Sequence, residues 1–433
     1  MLAKKSFRFW LTVLTLLLIA GYVHTSSTAA PSMPSDYPPA FMISAVAANE
    51  YRPDIAYNSK HDEYLVVWEN LWPGGYHDVY AQRVSGKGQL LSWFAVSTSP
   101  NSKMNPSVAY DPARDRYLVV FSYDAYGTGG DWDIYGRFIP WNGPSTSLND
   151  FVICNWANSN QYRPVVAFGR AQDEYLVTWT NAWSGQPSYI SARRVFPDGS
   201  GFPSNAFTIS SGAENRDYQD VTYNLHRNEY LVTWDVDNSG TGLDIYGKRL
   251  DGYGNVLTGG NSNPPVTGEF PIAGWPDDEE RPAVAACDQA DQYLVTWQSD
   301  QGTGGSDFAI YGYYLNGDAV PVNVLQICDT TTPDIYVDVT CNSKGNGYLL
   351  AWQSRYVGGE YSVWARLAFP NWSLGPDFEV VGPRQDADRE FPGVAGGISN
   401  FLVAWEHDRD GGTNKDIYGR IIGYMLHLPL VRK

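Results

Sequence analysis

Three arginines precede a proline at the head of a recurring segment: Arg52 in RPDIAY, Arg163 in RPVVAF and Arg281 in RPAVAA. A guanidinium is a permanent, planar fork of donors, so arginines converging on one point can grip a carboxylate, sulfate or phosphate. Acidic neighbours such as Glu50 and Glu280 offer them a plainer role as ion-pair partners. Carboxylates form a second set. Asp124, Asp237, Asp300 and Asp408 each lie three residues past the aromatic that closes an apolar pentapeptide, and Asp78, Asp133, Asp244 and Asp416 open the segment that follows. Two carboxylates bracketing a Gly-rich loop could hold Ca²⁺ through oxygen ligands. The stretch DVDNSG at 235–240 begins like a calcium loop but has no Glu at the twelfth place. Asx turns that pin the loop through backbone N–H groups are the simpler use of the same residues, and no cofactor is otherwise indicated.

Aromatic residues form a third set: Trp72, Tyr76, Tyr126, Trp132, Trp183, Tyr189, Tyr356 and Tyr361 fall in or beside one class of loop, and Trp156 and Trp275 in another. Rings displayed near Asp and Asn suit sugar stacking or protein contacts. His77 and His407, with Asp78 and Asp408, could form a transition-metal site if the chain ends meet. The run WPDDEE at 275–280 supplies Asp277, Asp278, Glu279 and Glu280, from which an acid–base pair for glycoside hydrolysis could be drawn. QSDQGT at 298–303 faintly resembles a sialidase Asp-box, one residue short and without its Trp. The chain contains no GxSxG, HExxH, P-loop or Rossmann fingerprint.

The frame that must carry these residues is written in a repeat. YLVTW occurs at 175–179, 230–234 and 293–297, with variants at 64–68, 117–121, 348–352 and 401–405, spaced 53 to 63 residues apart. Each copy follows a segment like RPDIAY (a) and precedes one like DIYGRF (c), and a short FxVS-like segment (d) ends most units. All are rich in β-branched and aromatic residues and bounded by Gly, Pro, Asn or Asp, which is strand chemistry. The pentapeptide (b) is almost continuously apolar instead of alternating, as expected of a strand covered on both faces. Radially packed four-stranded sheets give that pattern. The a, b and c segments occur seven times, but only six d segments follow them. A seventh, FMIS at 41–44, precedes the first a segment. Pairing it with the last unit would close a ring without open edges. The expected fold is all-β, a seven-bladed β-propeller spanning 41–423.

The repeat resembles that of secreted bacterial propellers carrying LVVW…DIYGRRV copies. More distantly it is similar to TolB-like and WD-repeat-like propellers, most clearly in AYDPARDRYLVVFSYDAYGTGGDWDIYGRF at 109–138 and in HDRDGG at 407–412. The PDG turn of those families is missing, and seven units stand where TolB has six blades. Such families share architecture and no single activity, so the resemblance implies a binding scaffold.

Residues 1–30 read as a signal peptide: Lys4, Lys5 and Arg8, an apolar run, then small residues, with cleavage after Ala29 or Ala30. Residues 31–40 form a linker and 424–433 a tail. Cleavage removes three cations and no anion, taking the net charge from −17 to −20. A chain this acidic repels nucleic acid and anionic lipid. Of four cysteines, Cys287 and Cys341 end a segments of adjacent repeats and are the plausible pair, which leaves Cys154 and Cys328 free. In a propeller of this strand order, the long, varied b–c loops share a face with the d–a loops, and the short a–b turns lie opposite. The expectation is therefore a secreted, monomeric, non-catalytic propeller, outside the membrane once processed, binding a glycan or extracellular protein at the b–c/d–a face. A carbohydrate-active hydrolase, glycosidase or sialidase-like, on the same face is the alternative.

Overall fold

The computed structural model describes residues 38–423 apart from 99, 145–148, 239, 241, 260–265, 301–306, 329–331, 357–358, 383–387 and 409–413. The expected leader, most of the linker and the C-terminal tail thus lie outside the described residues. Seven four-stranded antiparallel sheets form the blades of a ring. The a strands are Asn49–Asn58, Lys103–Asp111, Ser159–Gly169, Arg216–Asn224, Glu279–Cys287, Asp334–Cys341 and Arg389–Gly396, and they line the axis.

Each pentapeptide is the second strand of its blade, and in the first blade residues 64–68 are fully buried. Their alternation explains the unbroken apolar run. Leu65 and Val67 pack into the interface with the second blade, whereas Tyr64, Val66 and Trp68 pack into the interface with the seventh. Both faces of the strand are therefore core, and the only polar residue admitted is the small Thr178, Thr233 or Thr296 of the three YLVTW copies, itself fully buried. The leading Tyr also ties blades together. Tyr64 donates to Asn400 Oδ1 (2.6 Å) and Tyr293 to Glu229 Oε1 (2.5 Å), both one residue ahead of the neighbouring pentapeptide.

Closure is as expected. Phe41–Ser44 pairs antiparallel with Lys415–Gly423, aligning Phe41 with Gly419 and Ser44 with Ile417, so the N-terminal strand completes the last sheet. Glu50 fastens the seam by accepting from Ser44 Oγ (2.6 Å) and from the Ile417 N–H (3.1 Å). Cys287 and Cys341 form a disulfide, with Cα atoms 5.5 Å apart, and Cys154 and Cys328 are free and buried. The a–b turns are Asx-capped, as Asn58 Oδ1 accepts from the N–H groups of Lys60 and His61. The long c–d connection of the fourth blade adds a small hairpin, Thr258–Gly259 with Val266–Thr267.

Candidate functional site

All seven a strands break register at one point, between Tyr51 and Asp54 in the first blade and between Glu390 and Gly393 in the last. The residue at the break has left-handed backbone in every blade: Arg52, Asn105, Arg163, Tyr218, Arg281, Tyr336 and Phe391, with φ between 48° and 55°. This is a β-bulge, which re-aims one side chain per strand. Its repetition around the ring sets seven side chains about one end of the channel. The conformation costs an L-residue roughly 1–2 kcal/mol, yet no glycine occupies any of the seven positions. Backbone strain kept at one repeated point is the kind of feature that gathers at functional sites.

These residues line a cavity of about 420 Å³ on the axis. Arg52, Arg163 and Arg281 do converge there, and their surroundings differ. Arg163 bonds Asp217 (2.5 Å) and the Tyr218 hydroxyl (3.0 Å), with its guanidinium 4.0 Å from the Tyr218 ring. Arg281 lies between two rings, 4.0 Å from Tyr218 and 4.7 Å from Tyr336, and Tyr336 in turn packs on Phe391 at 4.3 Å. Cations and rings thus alternate from the third blade to the sixth, and a second ring, Phe391, ends the arc at the seventh. Arg52 is exposed. Glu50, its expected acidic partner, is instead buried in the seam and bonded to Ser44, while Glu280 does sit 3.8 Å from Arg281.

Below the mouth the channel wall turns acidic. Asp54, Asp220 and Asp338 each accept two backbone N–H groups, one from the next residue and one from the adjacent blade: Val108, Val284 and Val394 respectively. Burial pushes all three carboxyls up, Asp220 to about 7, and mutual repulsion across the channel adds to the rise at Asp220 and Asp338. The channel is therefore polarised, with cations and rings at its lip and carboxyls inside.

The remaining sequence candidates take up varied positions. Tyr76, Tyr126 and Trp183 stand exposed on the loops of the first three blades at 42%, 72% and 37%. Trp132 is half-buried and donates to the Gly129 carbonyl (3.2 Å). Tyr189 accepts from the Trp183 indole (3.0 Å), Tyr356 donates to Glu379 (2.6 Å), and Tyr361 lies beside Arg355. Trp72, Trp156 and Trp275 differ from the expected display, because they fill the ends of the blade interfaces. Trp72 packs on Tyr80, Trp156 on Trp179, and Trp275 on Trp297 and Tyr311.

Among the carboxylates, Asp124 closes its own loop through the N–H groups of Thr128 (3.1 Å) and Gly129 (2.8 Å). Asp300 accepts from the Asp278 N–H (3.2 Å), Asp408 donates its backbone N–H to Asp388 O (2.9 Å), and Asp237 is exposed. Among the described residues no group of three or more His, Cys, Asp or Glu gathers at metal-holding distance, around His77 and His407 included. Asp78 is paired with buried Lys103 (3.0 Å).

Of the acidic run, Glu279 is fully buried and holds the Trp275 N–H (2.9 Å), and burial raises its carboxyl to about 7. It occupies the place of Glu50, two residues before the bulge, where Lys103, Gln161, Arg216, Asp334 and Arg389 are likewise buried. Asp278 accepts from the Leu243 N–H (2.9 Å), and Glu280 from Gln298 (2.9 Å). Asp277 is half-buried. The run is thus largely engaged in fixing loops, and Glu279 has no surface to offer a substrate.

Reasoning from sequence missed Asn105, Tyr218, Tyr336 and Phe391, whose signal was their place in the repeat and not their chemistry.

No family model matches the chain, and no curated protein matches it in sequence. Among solved structures, puromycin hydrolase is similar at 14% identity and a TM-score of 0.52, over 86% of this chain and 54% of its own. The present chain thus spans about half of that enzyme. A protein of unknown function from Dyadobacter fermentans DSM 18053 is 11% identical over 89% of this chain and 98% of its own, with a TM-score of 0.49. The intramolecular trans-sialidase from Ruminococcus gnavus is 9% identical over 89% and 96%, with a TM-score of 0.48. At 14% identity the likeness to puromycin hydrolase is one of fold.

Proposed function

We propose that the protein is an exported, monomeric, non-catalytic propeller that binds a glycan or an extracellular protein at the channel mouth on the b–c/d–a face. One observation carries the reading. Seven strained bulges, none of them glycine, turn three arginines, three aromatic rings and an amide onto a single axial cavity. Concave sites lined by rings with a few converging polar groups are the usual form of a ligand pocket. The exposed Tyr76, Tyr126 and Trp183 extend that surface outward over the first three blades. The resemblance of the repeat to secreted and TolB-like propellers accords with export and with a scaffold role. Calcium enters the proposal only as an accessory to the loops that carry Asp124, Asp237, Asp300 and Asp408.

A glycan array probed with the protein residues 31–433, with and without a calcium chelator, tests the reading. The expected result is a defined set of bound glycans, lost when Arg163 and Arg281 are replaced together by Gln. Absence of any glycan or extracellular-protein ligand, or hydrolysis of a chromogenic glycoside, would count against it.

A further inference from the structure

The residue following each pentapeptide is Glu69, Ser122, Thr180, Asp235, Gln298, Gln353 or Glu406. Five of these reach across to the next blade and accept the N–H of its bulge residue. Glu69 serves Asn105, Asp235 serves Arg281, Gln298 serves Tyr336, Gln353 serves Phe391 and Glu406 serves Arg52, at 2.8–3.1 Å. This is a building rule of the ring, and it fills the wedge between neighbouring blades beside the channel.

The second and third blades break it. Thr180 of the third still reaches the next blade by donating to Asp217 (2.9 Å) and Gln219 (2.7 Å), and Asp217 takes the Tyr218 N–H in its place. Ser122 is too short to reach Arg163; its hydroxyl is 1% exposed as a residue and has no hydrogen-bond partner. A buried hydroxyl left so costs about 1–3 kcal/mol unless something binds it. A second cavity of about 320 Å³ opens there, lined by Arg52, Asn105, Ser122, Trp132 and Tyr162 among others, and it shares Arg52, Asn105 and Arg163 with the wall of the axial cavity. The carboxylates nearest Arg52 are already engaged, Glu69 by the Asn105 N–H and Glu406 by the Arg52 N–H.

We propose that this lateral cavity is a subsite for an acidic sugar, with its ring against Trp132, its carboxylate on Arg52 and Asn105, and a hydroxyl on Ser122. The assignment rests on the channel-mouth reading and specifies its ligand. The chemistry favours a uronate over an acidic peptide. A lone hydroxyl, which both donates and accepts, matches a sugar hydroxyl. Of the two guanidiniums and two amides on the wall, Arg163 is held by Asp217 and Asn160 by the Trp132 N–H, which leaves Arg52 and Asn105 beside the ring wall for one pyranose bearing one charge.

The test is titration calorimetry with a galacturonate trimer, its methyl ester and a glutamate tripeptide. Three variants are compared with the unaltered protein: Ser122→Gln, Arg52→Gln and, at the mouth alone, Arg281→Gln. Ser122→Gln copies Gln298 and Gln353, so it should fill the wedge and restore the missing bond without loss of melting temperature. The expected result is that the unaltered protein binds the uronate at least about tenfold tighter than the ester, and that Ser122→Gln and Arg52→Gln each lose about tenfold or more. Unchanged binding in Ser122→Gln, preference for the ester, or tighter binding of the peptide overturns the subsite. If Ser122→Gln leaves uronate binding intact while Arg281→Gln weakens it, the channel-mouth reading survives and the subsite does not. If the uronate is not bound but other glycans on the array are, the inference again fails alone.

Discussion

On the face that carries the a–b turns, arginine fastens blade to blade; at the channel mouth Arg163 alone does so, through Asp217, while Arg281 is laid against rings and Arg52 is left exposed. Arg114 bonds Asp173 of the next blade through both terminal nitrogens (2.6 Å each), and Arg227 holds Asp291 (2.6 Å) and Asp318 (2.7 Å). Arg249 and Arg194 clamp Glu229 (2.7 Å) and Glu174 (2.6 Å) within their blades. His61 adds a contact to Asp115 (2.8 Å) while stacked on Trp141. One residue type thus serves two ends: satisfied by carboxylates it is scaffold, and exposed on a strained bulge, as Arg52 is, it is available to a ligand, with Arg163 combining both. Substitutions on the turn face should therefore act on stability, and those at the mouth on binding.

The largest effect on the scaffold side is expected at Glu229. Its carboxylate is buried with Arg249 and also accepts from Tyr293, so Glu229→Ala leaves a buried guanidinium with only the Thr258 carbonyl and the more distant Asp318 (3.5 Å). Breaking a buried pair from one side costs about 3–5 kcal/mol. Chemical denaturation should show that loss while ligand affinity, measured well below the transition, is unchanged. Next comes the disulfide. Cys287→Ser with Cys341→Ser frees a loop with a sequence separation of 54 residues, for which a loss of about 2–4 kcal/mol is expected. Comparable denaturation curves for the oxidised and doubly substituted proteins would break that expectation.

The contrast between the faces also marks what could be read in advance. The ring was legible because burial on both faces writes itself as an almost continuously apolar pentapeptide, and because a displaced FMIS leaves the last unit one strand short. The mouth was half legible. Arg-Pro flagged three of its seven positions, but the shared feature there is a backbone bulge. Tyr218 and Tyr336, followed by Gln219 and Val337 instead of proline, gave no local sign of it. Glu279 was misleading for the converse reason. Its acidic neighbours suggest solvent or catalysis, whereas its register two residues before the bulge puts it in the wall beside Trp275. The lateral cavity follows from what Ser122 fails to do, and that becomes visible only once the longer side chains of other blades are seen bridging to their neighbours.

The buried carboxyls predict a pH dependence of opposite sign to ordinary acid denaturation. Burial is the largest cause of the rise in each, holding Glu50, Glu69, Asp220 and Glu279 at about 7 and Asp235 at about 8. Unfolded carboxyls titrate near ~4. Between these values the folded state holds more protons than the unfolded one, so stability falls as pH rises through the window from about 4 to about 8. The net charge of −17 pushes the same way by self-repulsion. Asp115 and Asp291, whose carboxyls are lowered by hydrogen bonds from the turn face, contribute stability lost only on acidification below ~4. The melting temperature should therefore be highest near about pH 5 and a few degrees lower at about pH 8, with Asp220→Asn reducing the slope. A melting temperature that climbs steadily to pH 8 would contradict these positions.

The smallest expected effect on stability separates the faces most cleanly. Arg52 is exposed and its side chain forms no ion pair among the described residues, although its charge lowers the carboxyl of buried Glu69; its backbone N–H is engaged by Glu406 (2.9 Å), and its φ is 51°. Glycine adopts that conformation without the clash of a Cβ, and the N–H bond survives the exchange. Against this, glycine gives the unfolded chain more freedom and deprives buried Glu69 of the charge that lowers its carboxyl, which together offset part of the relief. Arg52→Gly should thus raise stability slightly, by about 0.5–1 kcal/mol, while removing the exposed cation from both cavities. A protein that is marginally more stable yet no longer binds would show that the left-handed arginine is kept at a structural cost for its ligand. A clear loss of stability would mean instead that Arg52 is scaffold, and the division between the two faces would fail at the residue where it is drawn most sharply.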